Sequence, residues 1–365
     1  MKKSVLFVLH LPPPIHGAAM MGKYIHDSNL VNRSFSCHYI NLTTASAIQD
    51  IGKCSVAKLW HFCKLLLRIV SDIRHYSPEL VYVTPNAKGM GFYKDFIVVQ
   101  LIKRMGCRVI AHYHNTGVAL RQDCFWDNLL YRKFFKNIKV ILLADVLYQD
   151  MSRYVSCKDV YICPNGIPEM GLAPKNMAQD RLVPHLLFLS NLLEAKGVFV
   201  LLDALKILKD KGFSFSCSYV GGETNDVDKD RFNQELLSRG LKDCVRYNGS
   251  KFGEAKLQEY ANADIFVFPS LNEAFPLVLL EAMQFHLPVV ASNVGGVIDI
   301  VKDGETGFIV PPGNSFALSE KIAVLLKDTQ LREKMAKCGY DRFREHFTLA
   351  HFEHQIVQIL QKQFL

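Results

Sequence analysis

The chain has 365 residues, enough for roughly two domains, and 49% of them are apolar, so each domain can bury a sizeable core. No apolar run approaches the ~18 residues that cross a bilayer. The ten cysteines are scattered without a Cys-x-x-Cys pair, which suits buried thiols in a reducing cytosol rather than disulfides or a zinc site. The net charge of +8 is uneven: residues 1–170 hold 21 Lys and Arg against 11 Asp and Glu, and the remainder holds 22 against 24. A basic first half suits an anionic membrane surface or an acidic acceptor. No basic-plus-aromatic recognition motif supports nucleic acid.

In chain order, the apolar stretch Ser4–Leu9 ends in His10 and three prolines. It is too short for a signal peptide and reads as a first strand. The loop Leu11 to Ala19 follows it, with a helix expected from about Ala18, and Gly17 can bring backbone N–H groups close to a phosphate or hydroxyl. Further strands are predicted at 80–84, 108–112 and 140–143, with helices at 58–76, 90–105 and 126–136 between them. The helix at 58–76 sets Lys58, His61, Lys64, Arg68 and His75 near one face, a pattern that can lie on anionic lipid. His112 and His114 stand two residues apart at the end of the 108–112 strand, on one side by strand alternation; either can face a substrate.

Residues 165–184 are rich in Pro, Gly and small side chains and are expected to form the inter-domain linker. Strands follow at 185–189, 214–220, 265–268 and 288–291, with helices at 198–211, 231–239, 257–262 and 316–327. Such alternation predicts an α/β protein with parallel sheets covered on both faces. Ser190-Asn191-Leu192-Leu193-Glu194-Ala195-Lys196-Gly197 runs from a strand into a helix start, where an ammonium and free N–H groups make an anion site. Pro269-Ser270-Leu271-Asn272-Glu273-Ala274-Phe275-Pro276-Leu277 leads from the next such strand into a helix that carries Glu281. Seven residues separate the two carboxylates, one in the loop and one about a turn into the helix. In a doubly wound protein this is where ligands bind.

The stretch resembles the EX7E motif of the retaining family-four glycosyltransferases, which have the GT-B fold. The series Gly295-Gly296, Asp299-Ile300-Val301, Asp303-Gly304 and Thr306-Gly307-Phe308 is similar to theirs as well, and so is Lys196-Gly197. Where the family has Gly-Arg before that Lys-Gly, this chain has Ser190-Asn191, so one expected cation is missing. The resemblance implies GT-B, two Rossmann-like doubly wound domains facing a central cleft. The expected division is 1–170 for an acceptor-binding domain and 171–345 for a nucleotide-sugar-binding domain, with 346–365 as a helix crossing back to the first.

What the resemblance implies for function is retaining transfer of a sugar from a nucleotide-sugar donor to a hydroxyl of a glycan or lipid-linked glycan. His114, Lys196 and Glu273 would be the catalytic groups; Gly17, Asn191, Lys196, Phe275, Leu277 and Glu281 would bind the donor. The resemblance also implies no cofactor and no essential metal, and the lack of an Asp-x-Asp at a suitable strand end agrees. The expected location is cytoplasmic, with peripheral contact at an anionic membrane. The alternatives are a GT-B-fold sugar-nucleotide epimerase and a non-catalytic sugar-nucleotide-binding subunit.

Overall fold

The computed structural model describes residues 2–43, 56–170 and 183–365. The chain divides into two compact units, Met1–Asn165 with Leu349–Leu365, and Gly166–Thr348. The divisions fall at 165/166 and 348/349, a few residues from the expected 170/171 and 345/346. Residues 171–182 of the expected linker lie outside the described residues.

The first unit runs β1 (Ser4–Leu9), α1 (Gly17–Asp27), α2 (Asn29–Ser34), β2 (Ser36–Asn41), α3 (Val56–Tyr76), β3 (Leu80–Val83), α4 (Gly89–Arg104), β4 (Arg108–His112), α5 (Phe125–Phe135), β5 (Lys139–Leu142) and β6 (Val160–Ile162). Its strands form one sheet in the order β2-β1-β3-β4-β5-β6, and each pairing is parallel. The central strands are buried on both faces, β3 along its whole length and β1 beyond its first residue. That is why they read as unbroken apolar runs rather than as alternation. The strand β2, which periodicity does not predict, lies at the sheet edge and is only partly buried (Ser-Cys-His-Tyr-Ile-Asn).

The second unit runs β7 (His185–Leu189), α6 (Val198–Asp210), β8 (Ser216–Val220), α7 (Lys229–Ser238), β9 (Val245–Tyr247), α8 (Gly253–Asn262), β10 (Ile265–Phe268), α9 (Leu277–Gln284), β11 (Val289–Ser292), α10 (Val297–Ile300), β12 (Gly307–Val310), α11 (Ser315–Lys327) and α12 (Thr329–His346). The final helix, α13 (Leu349–Lys362), belongs to the first unit, where Phe364 just beyond it packs on Phe35. The second sheet has the order β12-β11-β10-β7-β8-β9, again all parallel. Its core joins Leu201, Leu205 and Leu208 of α6 to Phe188, Tyr219 and Phe232. Each such side chain contributes about 1.5–3 kcal/mol on burial. The helix α8 starts a turn before the expected 257; its opening turn, Gly-Glu-Ala-Lys, is largely exposed and carries no apolar periodicity.

The strand orders decide where chemistry can sit. In the second sheet β7, the unit's first strand, has β10 on one side and β8 on the other, so the order reverses between β7 and β10. In the first sheet it reverses between β1 and β3. Loops leaving the carboxyl ends of strands at such a reversal diverge and leave a crevice for a ligand.

Candidate active site

In the second unit, the loop after β7 carries Lys196 and the loop after β10 carries Glu273. The two loops are tied together: Leu271 N–H donates to the Ala195 carbonyl at 2.8 Å, and Ser270 Oγ donates to the same oxygen at 3.2 Å. Lys196 lies in a short 3-10 turn that ends at Gly197 in the left-handed region (φ 75°). A Cβ at Gly197 would sit 2.0 Å from the Pro269 carbonyl oxygen, so only glycine lets the loops approach this closely. Lys196 Nζ reaches Glu273 Oε1 at 2.5 Å, with the lysine side chain 28% and the carboxylate 11% exposed. Ser270 Oγ also lies 3.0 Å from the same carboxylate oxygen, and its single proton is shared between this oxygen and the Ala195 carbonyl. Behind Glu273, Gly295 (φ 48°) presses on its backbone, where an added Cβ would lie 2.0 Å from the Glu273 carbonyl oxygen. Gly296 N–H donates to the Ala274 carbonyl at 2.8 Å. The Gly-Gly pair therefore holds the Glu273 loop in place.

Glu281, in the second turn of α9, accepts from Lys256 Nζ at 2.6 Å and from Tyr260 OH at 2.7 Å, both on α8. Neither α6 nor α9 has a side-chain cap at its start, which leaves first-turn amides for an anion. Leu277 opens α9, directly after Pro276, which has no N–H to offer. Asn191 Oδ1 accepts from Gly222 N–H at 3.1 Å, so its carbonyl braces the adjacent loop and its amide N–H₂ is the end with donors to offer. Phe275 is buried against Phe347. Its ring is a packing group.

The first unit gathers histidines at its own sheet reversal. His10, just past β1, accepts from Asn86 Nδ2 through Nε2 at 3.4 Å and faces Thr43 Oγ1 through Nδ1 at 3.4 Å. Asn86 is fixed by Asp95 Oδ2, which accepts its backbone and side-chain N–H groups at 2.8 Å each. His16 caps α1: its Nδ1 accepts from Ala19 N–H at 3.3 Å. The rings of His112 and His114 lie 4.2 Å apart. His112 is fully buried, with Tyr82 OH 2.5 Å from Nδ1. Both ring nitrogens of His114 are buried without a well-formed hydrogen bond. Burial, then the nearby His16, lowers His114 to about 3, with Asn165 opposing weakly. Burial, then Lys94, His16 and His114, lowers His10 to about 3 as well. These imidazoles are neutral at ordinary pH. Gly17 is exposed at the first position of α1, and an added Cβ there would meet nothing within 4 Å. It leaves the backbone open to approach, but the packing does not demand glycine.

Residues 178–342 match the family model described as Glycosyl transferases group 1, a span that contains Lys196, Glu273 and Glu281. The matched span lies within the second unit, which is similar to the group 1 glycosyl transferases. Similar curated proteins include the capsular polysaccharide biosynthesis glycosyltransferase CapM of Staphylococcus aureus, 31% identical over 44% of this chain and 41% of that protein. Another is the N,N'-diacetylbacillosaminyl-diphospho-undecaprenol alpha-1,3-N-acetylgalactosaminyltransferase of Campylobacter jejuni, 33% identical over 62% of this chain and 61% of that protein. The chain spans between 41% and 62% of the length of the first four curated relatives. Among solved structures, Anabaena HepE in complex with UDP superposes with a TM-score of 0.75 at 18% identity, covering 98% of this chain and 100% of that one. The fold is GT-B, two Rossmann-like units each built on a parallel six-stranded sheet.

Within the second unit, structure adds three residues that sequence reading passes over: Ser270, Lys256 and Tyr260. Ser270 lies inside the quoted motif, but nothing local shows that its hydroxyl reaches Glu273. Lys256 and Tyr260 are one helical turn apart, the spacing that puts two side chains on one face; α8 is otherwise too polar to draw notice. In the first unit His10, His16 and Asn86 were likewise legible only as isolated polar residues.

Proposed function

We propose that the protein is a retaining glycosyltransferase that moves a sugar from a nucleotide-sugar donor to a hydroxyl of a glycan or lipid-linked glycan. The observation that carries this reading is the Lys196–Glu273 pair, held at the sheet reversal of a group 1 glycosyl transferase unit. It is supported by the uncapped starts of α6 and α9, which offer amides to a diphosphate beside the lysine. CapM and the Campylobacter enzyme are glycosyltransferases and HepE binds UDP, which supports the same reading.

In the proposed step the acceptor oxygen bonds to the anomeric carbon as the bond from that carbon to the donor phosphate oxygen breaks. The acceptor proton passes to the departing phosphate oxygen on the same face. Lys196 and the amides at Leu277 stabilise the charge that gathers on the leaving diphosphate. Two phosphates compete with one carboxylate for the Lys196 ammonium, so donor binding frees Glu273 to accept from sugar hydroxyls. Glu281 holds the ribose. Asn191 adds uncharged amide donors, and Lys196 bears the charge that an Arg would otherwise share. His114 is the first unit's group for a substrate hydroxyl: a neutral ring whose buried nitrogens gain from a partner. No metal enters the step, and a chelator should leave the rate unchanged.

We further assign peripheral contact with the anionic inner face of the cytoplasmic membrane to α3. Its inward side buries Leu65, Ile69 and Ile73, and its outward side exposes Trp60 and Leu67 alongside Lys64, Arg68 and Arg74. No helix among the described residues is long and apolar enough to cross a membrane.

The test is a thermal-shift series with UDP, GDP, ADP and their sugars on the wild type and Glu281→Ala. One base should raise the melting temperature, and the variant should lose that rise. No rise with any nucleotide would overturn the donor assignment.

A further inference from the structure

The Glu281 carboxylate is gripped on both oxygens from a single neighbouring helix. Lys256 Nζ takes Oε1 and Tyr260 OH takes Oε2. An ionised carboxylate has about four lone-pair directions. One bond on each oxygen leaves a further lone-pair direction on each for another hydroxyl donor. Tyr260 cannot swing away: it is fully buried, its ring stacked on Phe285 with centroids 5.3 Å apart and tilted against Phe266 at 5.7 Å. Burial, followed by the Glu281 charge, pushes its phenol well above the usual range, so the hydroxyl stays a donor. Lys256 completes the grip from the rim, with its side chain 25% exposed.

We propose that Lys256 and Tyr260 are positioning residues that lock Glu281 as a two-point acceptor for a vicinal diol, making the donor site select nucleotides with an intact ribose. The inference rests on the reading of Glu281 as the ribose anchor. A carboxylate free to rotate would still offer negative charge, but no longer two lone pairs at a fixed spacing and angle. The selectivity therefore belongs to the α8 grip as much as to Glu281 itself.

The experiment compares dissociation constants of the full chain for UDP, GDP and ADP with those for their 2′,3′-dideoxy counterparts. In the wild type the ribose form of the preferred base should bind more tightly, by about ten-fold or more, the expected worth of hydrogen bonds to a charged group. Tyr260→Phe, which keeps the ring, should cut that preference below about three-fold. Affinity for the ribose form should fall while affinity for the dideoxy form stays. Lys256→Met, on the rim and harmless to the core, should act in the same direction. If either folded variant weakens both forms equally and keeps the wild-type ratio, the residues are merely structural and the inference is overturned. If the wild type itself shows no ribose preference, the ribose-anchor reading fails first and takes the inference with it.

Discussion

The two units share an all-parallel six-stranded sheet with one reversal of strand order, yet the side chains gathered at the two reversals differ in kind. In the second unit they are ions: Lys196 with Glu273, and Lys256 with Glu281, all four partly exposed. In the first they are imidazoles that burial holds neutral, His10 and His114 among them, with Asn86 and Asp95 behind. The first unit is nonetheless the basic one by composition, and its surplus cations ride on surface helices such as α3. Net charge thus says little about where charge is put to chemical use. A neutral donor or acceptor matches a hydroxyl, and a cation matches a phosphate, so the two reversals carry different chemistry.

The largest test of this contrast is Lys196→Ala. It should lower kcat/KM by about 10²–10³-fold, the scale of losing one charge-stabilising donor in a transition state. Turnover within a few-fold of wild type in a steady-state assay would remove Lys196 from the step. Next is Gly295→Ala, which adds a Cβ 2.0 Å from the Glu273 carbonyl at a φ of 48°. Strain of this kind costs about 1–3 kcal/mol, and relief must move the Glu273 loop. Denaturant titration should show the loss, and the activity loss should exceed it. Retained activity in a folded variant would mean that the loop position is not critical.

The histidines give a subtler test. His10 and His114 lie near 3 in the folded chain against an ordinary 6.5. Between those values the unfolded chain binds protons that the folded chain refuses, so stability falls as pH drops from about 6.5 toward 3. Melting temperatures between pH 7.5 and 4.5 should decline in the wild type and decline less steeply in His114→Gln. Equal slopes would show that His114 is not held neutral. The smallest expected effect is at the membrane surface. Trp60→Ser with Leu67→Ser should reduce co-flotation with vesicles containing anionic phospholipid several-fold, leaving turnover on a water-soluble acceptor unchanged. Undiminished flotation would place membrane contact elsewhere or nowhere.

The fold class was legible because its signals are local. Apolar runs such as Ile265–Phe268 follow from strands buried on both faces, and helix α6 shows its inward Leu201, Leu205 and Leu208 by spacing alone. The motif carboxylates were legible for the same reason, with seven residues between them on one loop and helix. Edge strand β2 escaped notice because it is only partly buried, and β6 and β9 because each is also just three residues long.

Sequence by itself therefore determined most of the element types, the doubly wound class and the candidate residues, since each is written in a window of a few turns. Tertiary structure alone decided which of those residues meet. Lys196 and Glu273 are 77 positions apart and touch only because β10 lies beside β7. Lys256 and Tyr260 reach Glu281 only because α8 packs beside α9, and His10 joins Asn86 only because β3 lies beside β1. Strand order is a property of the whole sheet, fixed by how all its apolar faces are buried together, and no local stretch of chain carries it.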